Sequence, residues 1–421
     1  MAIDRAPFVQ GAGRRGRDEY RIGWIDVTTL RIQYEPMNDS RLALGFMSGT
    51  SLDGLDAAVI RAEGTGPDLH ATVAAHVETT FEPDDPLIEN LRAFARGEPS
   101  TSARIAEIAR ELGLRHAAVL TAAADAANID PRRDLDLVAM HGQTVTHRPP
   151  VSWQLADPWL VAAAVDCPVV CDLRGADLAM GGRGAPITPS ADAVLLRHRR
   201  GEGRTLLVLN LGGFANATLL PGNDAEPVGF DCCPCNHLLD AASRVALDVP
   251  FDRDGEATDS GKADPVVVEG LVDVIAALER DDRSGGDGDE HADAAEAIAR
   301  DARDAGHPED ALASIAEAIC RSIATSVQRR IDAHDLPPLE STLVAGGGIR
   351  NLGLFRALAT ILPGPVESSE AAGLPPQARE AACMAVLGLL AVDGVPVTTA
   401  ASTGRNRSTT PDGLWIRPPR A

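Results

Sequence analysis

The chain has 421 residues, and its 61 acidic and 39 basic residues give a formal net charge of −22. This length predicts two domains of ordinary size, while the excess of carboxylates argues against a basic surface for nucleic acid. No apolar run reaches the ~18 residues that a membrane-spanning helix needs, and the first twenty residues lack the apolar middle of a signal peptide. We therefore expect a soluble, cytoplasmic protein without a nucleic acid or membrane partner.

The balance of basic residues is unusual, because Lys262 is the only lysine in the sequence. Excess carboxylate keeps a protein hydrated when salt screens the repulsion between its charges. The composition is thus similar to that of salt-adapted cytoplasmic proteins. We expect the stability of the fold to rise with salt concentration.

Residues 1–40 are rich in arginine and show no sustained apolar periodicity. We interpret them as an N-terminal extension that is either disordered or upstream of the true start of the protein. Met37 stands just before the first predicted strand. A chain that begins there is expected to fold and to bind nucleotide like the full chain.

The stretch Gly45–Ile60 reads GFMSGTSLDGLDAAVI, in which two apolar runs flank a polar segment that contains glycine. An Asp-Gly pair between apolar runs is typical of a β-hairpin, so we predict strand, tight loop and strand. The small loop residues offer backbone N–H groups to a phosphate chain. Asp53 and Asp56 place carboxylates where a hydrated divalent cation would lie. Taken alone, the stretch favours an ordinary surface hairpin.

The segments that follow predict an alternation of strands and helices. In chain order they are a strand at 71–81, helices within 85–128, a buried strand running into a polar loop at 134–147, a helix around 157–165, a strand at 167–173, and a Gly/Pro-rich hinge followed by a helix start at 173–196.

At residues 205–221 the opening pattern returns, since TLLVLNLGGFANATLLP reads as strand, glycine turn and strand. We interpret the repeat as a structural duplication, with a first domain at 41–190, a second at 191–395 and a C-terminal tail at 396–421. The other predicted elements are a helix at 236–247, an acidic, solvated insertion of low complexity at 281–310, a helix at 309–333, a strand and glycine turn at 341–351, and an amphipathic helix at 375–392.

Seven cysteines, an odd number in a long chain without an export signal, do not indicate a disulfide framework. Cys232, Cys233 and Cys235 lie beside His237 in the sequence CCPCNH, which raises the alternative of a zinc site. Structural zinc usually takes two ligand pairs that lie far apart in the sequence. Since the sequence offers no second pair, we favour a loop without metal.

The two glycine-turn hairpins and the late run Gly346–Gly348 together indicate a nucleotide-binding cleft. Facing hairpins can hold a triphosphate from both sides of a cleft, and a glycine turn at the start of a helix lets a nucleotide approach the backbone closely. The sequence contains neither a Walker A motif nor the protein-kinase motif set. A nucleotide would therefore be held in a different way.

Seven motifs together carry a family resemblance: GFMSGTSLDGLD, MHGQTVTHRP, DLRGADLAMGGRGAPITP, LNLGGFANAT, GFDCCPCN, FDRDG and LVAGGGIRN. In this order the chain resembles the anhydro-N-acetylmuramic acid kinases, which belong to the superfamily of actin-like ATPases and sugar kinases. The resemblance extends from residue 41 to about 392. It implies an α/β fold of two actin-like (ribonuclease H-like) domains with a nucleotide cleft between them. It also implies that ATP and water open the 1,6-anhydro bridge of the sugar, giving N-acetylmuramic acid 6-phosphate.

The resemblance implies a role for individual residues. Asp231 corresponds to the catalytic base, although a helix N-cap is an alternative role for it. His141 is a sugar contact or a histidine satisfied by a loop carbonyl, while Arg174 and Asp177 position the sugar or form an interdomain salt bridge. The remaining implied contacts are the ATP loop (Gly49, Thr50, Ser51, Leu52, Asp53, Gly54, Leu55, Asp56), the second turn (Gly212, Gly213), the adenosine-side turn (Gly346, Gly347, Gly348), Mg²⁺ at Asp53, and the sugar contacts Gln143, Thr144 and Asn236.

The chain departs from the family pattern at two places. Cys233 and Cys235 stand where the family usually has glycine. If φ were positive there, each cysteine would destabilise the fold by roughly 1 kcal/mol or more relative to glycine. The family's Lys-Ser-Thr-Gly-Arg-Glu segment after FDRDG is absent. A nucleotide-binding regulatory protein that has lost sugar turnover is therefore the second hypothesis. The sequence leaves a homodimer open.

Overall fold

The computed structural model describes residues 5–9, 22–26, 40–49, 54–82, 85–222, 225–279, 289–406 and 412–416. Residues Met1–Asp39 form a unit of their own, in which β1 (Arg5–Val9) pairs antiparallel with β2 (Ile22–Asp26). The rest of the predicted extension lies outside the described residues. The second unit, Ser40–Ala421, contains everything that the sequence assigned to the nucleotide-binding fold.

The strands of the second unit belong to a six-stranded sheet, a five-stranded sheet and a small hairpin. They are β3 (Ser40–Met47), β4 (Asp56–Glu63), β5 (His70–Val77), β6 (Leu137–Met140), β7 (Gln143–Arg148), β8 (Val151–Leu155), β9 (Val169–Cys171), β10 (Thr205–Leu211), β11 (Phe214–Pro221), β12 (Val228–Pro234), β13 (Leu339–Ala345), β14 (Val366–Ser368) and β15 (Leu414–Ile416).

The helices lie between and around these strands. They are α1 (Pro86–Ala95), α2 (Ser102–Ala126), α3 (Pro158–Ala162), α4 (Gly175–Ala179), α5 (Pro189–Leu195), α6 (Asn236–Ala246), α7 (Glu256–Ser260), α8 (Pro265–Glu279), α9 (Asp289–Asp304), α10 (Pro308–Ala333), α11 (Leu352–Ile361), α12 (Arg379–Val392) and α13 (Ala400–Thr403).

The two larger sheets share one topology. The first runs β15-β9-β6-β3-β4-β5 and the second β12-β11-β10-β13-β14. Each begins with three antiparallel strands, after which a fourth strand pairs in parallel with the first and a fifth with the fourth. The duplication predicted from the two hairpins is therefore confirmed in the strand order of both halves.

The two halves meet in a shared apolar core around α5 and α12. Leu206 and Val208 point from β10 into this core, whereas Leu207 and Leu209 point to the opposite face, towards α6 and α10. The alternation follows from the period of two along a strand that is buried on both faces. On the first sheet, a Cβ at Gly45 would lie 2.0 Å from the Ala381 carbonyl oxygen, so only glycine permits this close approach of β3 to α12.

Helix α12 differs from its prediction as an amphipathic helix. Nearly all of its residues are buried, because it packs on β3, β4 and β6 and shares its core with β10 and β11. A helix enclosed in this way needs no polar face. It belongs with the first sheet, although the predicted range 191–395 assigned it to the second domain.

Three further predictions are wrong in part. The acidic insertion contains α9, whose Ala295 and Ala299 are buried in the core beside α6. Alanines one turn apart provide a narrow apolar face that the acidic composition conceals; residues 280–288 lie outside the described part of the chain. The predicted tail 396–421 contains β15, which pairs antiparallel with β9 at the edge of the first sheet. Finally, the predicted polar loop after Met140 is mostly the hairpin β7–β8.

Candidate functional site

The turn of the first hairpin, between β3 and β4, is held at both ends. Thr50, Ser51, Leu52 and Asp53, which include the predicted Mg²⁺ ligand, lie outside the described residues. On the far side, Leu55 N–H donates to the Thr79 carbonyl oxygen at 3.2 Å, and a Cβ at Gly54 would collide with that same carbonyl. Asp56 is then the first residue of β4, half-buried beside the turn.

Gln143 anchors the near side of this turn. Its buried side chain accepts a hydrogen bond from the Ser48 hydroxyl and donates one to the Gly49 carbonyl oxygen at 3.2 Å. The sequence placed Gln143 among the sugar contacts, but in the structure its amide contacts Ser48 and Gly49 of the predicted phosphate loop. Thr144, the next residue of β7, is half-buried and pairs with Gln154 of β8.

The turn of the second hairpin, Gly212–Gly213, is held mainly by backbone N–H groups. Cys235 N–H donates to the Gly213 carbonyl oxygen at 2.8 Å, and Asn236 N–H donates to that of Gly212 at 3.1 Å. The Asn236 side-chain amide also donates to the Leu211 carbonyl oxygen at 3.3 Å. Asn236 therefore lies at this turn, on the predicted nucleotide side, and not where the predicted sugar contacts lie.

The turn Gly346–Gly348 lies directly beside the second hairpin, because β10 and β13 run parallel and pair as far as Asn210 and Ala345. Gly346 has a φ of 84°, and a Cβ on it would lie 2.7 Å from Asn210 Oδ1 and 2.9 Å from the Leu211 carbonyl oxygen. A Cβ on Gly347 would meet nothing within 4 Å. The turn is therefore packed on one side and open on the other, as a backbone that receives a nucleotide would be.

An ion pair connects the two regions that are predicted to bind nucleotide. Arg350, which follows the Gly346–Gly348 turn, lies 3.4 Å from Glu78. Glu78 directly precedes Thr79 and Thr80, the residues that hold the end of the first hairpin turn. The three predicted glycine segments thus converge on one region at the boundary of the two halves.

The predicted sugar-side residues form a second polar cluster. His141 is buried, and its Nε2 lies 3.0 Å from Arg174 Nη2 and 2.8 Å from the Gln154 amide nitrogen. Arg174 Nη1 also donates to the Gly184 carbonyl oxygen at 2.6 Å. Burial, reinforced by the charge of Arg174, lowers the pKa of His141 well below its usual value. His141 is therefore a neutral acceptor that orients the Arg174 guanidinium.

Asp231 faces this cluster from the second half. It lies on β12 at a bulge, where Asp231 pairs with Asn216 and Cys233 with Ala215, so Cys232 is the extra residue. Bulges of this kind re-aim side chains and are common beside active sites. The Asp231 side chain points away from the core that Phe230 and Cys232 enter, and it is exposed.

Opposing effects act on the pKa of the Asp231 carboxyl. The surrounding protein raises its pKa above 3.8, while the positive charges of Arg174, Arg183 and Arg330 oppose that increase. Two residues earlier, Gly229 lies against the prolines that follow Arg183, since a Cβ there would approach Pro189 Cγ to 2.3 Å. Asp231 and Arg174 are thus brought together across the boundary of the halves. The alternative role of Asp231 as a helix N-cap is wrong, because the N-cap residue of α6 is Cys235.

Asp177 holds loops together within the first half and its C-terminal extension. It is fully buried and accepts hydrogen bonds from Gly184 N–H at 2.7 Å, Thr398 Oγ1 at 2.5 Å and Thr403 Oγ1 at 2.7 Å. No hydrogen bond or ion pair joins it to Arg174 among the described residues. The ion pair that Asp177 forms is with Arg405, whose Nε lies 4.0 Å from Asp177 Oδ1. Its role as a sugar contact stays a prediction.

The two cysteines that replace family glycines do not adopt the left-handed backbone conformation that favours glycine. Cys233 lies in strand β12 and Cys235 has a φ of −127°, and neither has a positive φ. The energetic penalty that the sequence raised for these positions therefore does not arise. Both thiols are buried in the core with α10. Across the described ranges, no three His, Cys, Asp or Glu side chains are grouped so that they could hold a metal ion.

Sequence reasoning missed three residues of the site. Gln154 contacts His141, Thr79 fixes the hairpin that is predicted to bind phosphate, and Arg183 adds positive charge beside Asp231. The alternation of Ser152 and Gln154 on one face of β8 was a usable signal, since Ser152 Oγ lies 3.0 Å from His147 Nδ1. Thr79 carried no such signal, because its hydrogen-bond partner Leu55 lies 24 positions away and is brought close only by the fold.

Comparisons with known proteins show what this chain is similar to. A family model described as "Anhydro-N-acetylmuramic acid kinase" matches residues 41–414. A protein of that name from Salinibacter ruber is 32% identical over 393 residues, covering 90% of this chain and 97% of the relative. One from Xanthomonas axonopodis pv. citri is 36% identical over 352 residues, covering 82% and 89% respectively.

Among solved structures, component A of the Acidaminococcus fermentans (R)-2-hydroxyglutaryl-CoA dehydratase matches with a TM-score of 0.45 and 14% identity, covering 84% of this chain and 99% of that one. In the described part of the chain, no helix is long and apolar enough to cross a bilayer.

Proposed function

The chain belongs to the anhydro-N-acetylmuramic acid kinase family, and from this membership we infer that it is an ATP-dependent sugar kinase. Its reaction opens the 1,6-anhydro bridge of anhydro-N-acetylmuramic acid with water and transfers the γ-phosphoryl group to the six-position oxygen. The products are N-acetylmuramic acid 6-phosphate and ADP. The observation that carries the proposal is the position of Asp231, which faces the Arg174 cluster beside the converging glycine turns.

Asp231 is proposed as the general base. Water attacks the anomeric carbon and gives its proton to the carboxylate, the bond from that carbon to the bridge oxygen breaks, and the released oxygen attacks the γ-phosphorus. A carboxylate with a raised pKa is a stronger base, and the pKa of Asp231 is raised by its surroundings. Asp177 is less suited to this role, because three donors already occupy its oxygens.

Arg174 is proposed to set the electrostatics of this step. Its guanidinium is fixed by the Gly184 carbonyl oxygen and by His141 Nε2, so it keeps one orientation when substrate binds. Positive charge held in place at the reacting centre stabilises the negative charge that develops during phosphoryl transfer. Arg183 and Arg330 contribute to the same positive field around Asp231.

ATP is proposed to bind along the three glycine segments. The open side of Gly347 and the Gly212–Gly213 turn leave backbone accessible, and the buried Asn210 Oδ1, which has no hydrogen-bond partner among the described residues, lies at the same turn. Mg²⁺ is proposed on the phosphate side, where Asp56 and Asp53 would hold it together with phosphate oxygens. When bound, it neutralises phosphate charge. Such an ion needs few protein ligands, so the residues present are compatible with it.

The rival hypothesis, a regulatory protein without sugar turnover, is less well supported. It rested on two departures from the family pattern: the absent Lys-Ser-Thr-Gly-Arg-Glu segment, and the loop around Cys233 and Cys235. The backbone of that loop carries no positive φ. The relatives that share most of this chain's length are also named as kinases.

The proposal can be tested with the purified full chain, ATP, Mg²⁺ and 1,6-anhydro-N-acetylmuramic acid in high salt. We expect a product whose mass equals the sugar plus one water and one phosphoryl group, formed in equal amount to ADP. Reactions without sugar and with the ordinary, open sugar serve as controls. ATP hydrolysis without a phosphorylated sugar, or ATP binding without any turnover, would contradict the proposed kinase activity.

A further inference from the structure

The segment 398–403, which includes α13, contacts both halves of the molecule. The sequence assigned it to a C-terminal tail, yet Thr398 and Thr403 are buried. Thr399 is the N-cap of α13, and its hydroxyl accepts a hydrogen bond from Ser402 N–H at 3.2 Å. The cap holds this short helix in place, so that two neighbouring residues of the chain can contact different halves.

Ser402 contacts the second half at the edge strand of its sheet. Strand β12 lies at the end of the described strand order, and its buried Gly229 N–H donates to Ser402 Oγ at 3.1 Å. The same hydroxyl donates to the Pro227 carbonyl oxygen at 3.1 Å. An edge strand presents N–H and C=O groups that need partners. Ser402 therefore supplies to β12 both roles that a neighbouring strand would supply.

Thr403 contacts the first half at the loop that carries Arg183. Its carbonyl oxygen accepts from Arg183 N–H at 3.0 Å, and its hydroxyl donates to Asp177 Oδ1 at 2.7 Å. Thr398 Oγ1 donates to the same carboxylate oxygen at 2.5 Å, and Gly184 N–H donates to the other at 2.7 Å. This loop and α13 are therefore joined by several hydrogen bonds, at least one of which involves only backbone atoms.

These contacts bring the backbones of Gly229 and Arg183 to adjacent residues of one helix. The two halves also touch at the same place, since a Cβ on Gly229 would lie 2.7 Å from Pro186 Cγ, three residues after Arg183. Gly229 precedes Asp231 by two residues, directly before the bulge of β12 that exposes it. The position of Asp231 relative to the arginine-bearing loop therefore depends on how α13 holds the edge of β12.

We propose that Ser402 is a positioning residue for the kinase reaction, because its hydroxyl holds the strand of Asp231 against the loop of Arg183. A displacement of about 1 Å at a reacting group can lower a rate by about 10²-fold. Loss of this hydroxyl therefore acts on the chemical step more than on ATP binding. The effect on catalysis rests on the proposed function, whereas the contact between Ser402 and β12 does not.

The test measures sugar phosphorylation by the full chain in two variants. Ser402→Ala removes the hydroxyl, and Ser402→Thr retains it. We expect kcat to fall about tenfold in Ser402→Ala, with the Kd for ATP within about twofold of the wild type. Ser402→Thr should recover most of that loss. A wild-type kcat in Ser402→Ala, or equal losses in both variants, would overturn the proposal.

Ser314→Ala is the matched control for a purely structural role. Ser314 Oγ on α10 accepts from Asp264 N–H at 2.9 Å and donates to the Asp310 carbonyl oxygen at 2.6 Å, so it makes the same kind of contacts within the second half. Both alanine variants should lower Tm by a few degrees, whereas kcat should fall only in Ser402→Ala. Equal losses of kcat in the two alanine variants would also overturn the proposal.

Hydrogen exchange measures the contact itself. The Gly229 amide should exchange about tenfold faster in Ser402→Ala than in the wild type, and unchanged exchange would refute the contact. If Ser402→Ala does not fold, Ser402→Cys replaces it with the same expected results, because a thiol is a weak acceptor. If the wild type phosphorylates no sugar, the proposed function fails, while faster Gly229 exchange in the variant would still support the contact.

Discussion

The two hairpins share a strand pattern but differ in what holds their turns. The first turn depends on side chains, with Gln143 linking Ser48 and Gly49, and Thr79 fixing the other end. The second turn, Gly212–Gly213, is held by backbone N–H groups at the start of α6. The two halves therefore share a strand topology, but different contacts hold their hairpin turns.

This difference suggests that the two turns have different roles. A turn held by long side chains can adjust to a phosphate chain, since its anchors can rearrange at low cost. A turn held by a helix start keeps the geometry of the neighbouring strands, and here it supports both Asn236 and the Gly346–Gly348 turn. We expect substitutions in the second region to affect folding and nucleotide binding together, and substitutions in the first to affect mainly nucleotide binding.

Gly346→Ala should produce the largest loss of stability. The positive φ and the contact with the Leu211 carbonyl oxygen should together lower the free energy of unfolding by about 2–3 kcal/mol. Gly347→Ala is the matched control in the same turn, because a Cβ there meets nothing within 4 Å. Denaturant unfolding of both variants checks this. Equal losses would show that the two glycines are not distinguished by their packing.

Gln143→Leu should weaken ATP binding without a comparable loss in the stability of the fold. Losing both hydrogen bonds to the loop is expected to raise the Kd for ATP about tenfold. Gln143→Glu keeps the acceptor for Ser48 and should be intermediate. Calorimetric titration with ATP measures the effect. Normal ATP affinity with a raised KM for the sugar would instead support the sugar contact predicted from sequence.

The sequence predicted the two hairpins and the Gly346 turn because local chemistry specifies them. Glycines between apolar runs indicate tight turns whatever the surrounding fold. The role of Gln143 was not predictable in this way, since its partner Ser48 lies 95 positions away. Helix α9 was missed because its acidic residues dominate the composition and conceal the pair Ala295 and Ala299.

The same limit applies to the catalytic region. Asp231 was identified through family resemblance, and the bulge that exposes it is produced by pairing between β11 and β12. The burial of Asp177 arises from Thr398 and Thr403, more than 200 positions further along the chain. Long-range contacts of this kind leave no periodic signal in a single sequence.

A change at the end of β12 tests whether this region needs glycine. Because Cys233 and Cys235 are buried without positive φ, replacing both by glycine should lower the free energy of unfolding by about 1–3 kcal/mol through lost packing and added chain freedom. Sugar turnover should not improve. Thermal unfolding and sugar kinetics on the double variant provide the check. A gain in stability or turnover would show that the family glycines are still preferred.

Salt should raise the stability of both halves alike, by less than the substitutions above lower it. With a net charge of −22, repulsion between surface charges is screened as ionic strength rises, so Tm should increase from dilute buffer to molar KCl by a few degrees, the shift expected for about 1 kcal/mol. Differential scanning calorimetry measures the trend. A flat or falling Tm would refute the proposed salt adaptation.

The most direct measurement compares single-turnover phosphorylation of anhydro-N-acetylmuramic acid by the wild type and by Asp231→Asn, with ATP binding measured on the same preparations. The amide keeps the shape of the side chain and removes its basicity, so the rate should fall by about 10²–10⁴ while the Kd for ATP stays within about threefold. Asp177→Asn serves as the comparison and should act mainly on stability, since it disturbs a buried hydrogen-bond network. Phosphorylation by Asp231→Asn at near the wild-type rate would contradict the assignment of the base.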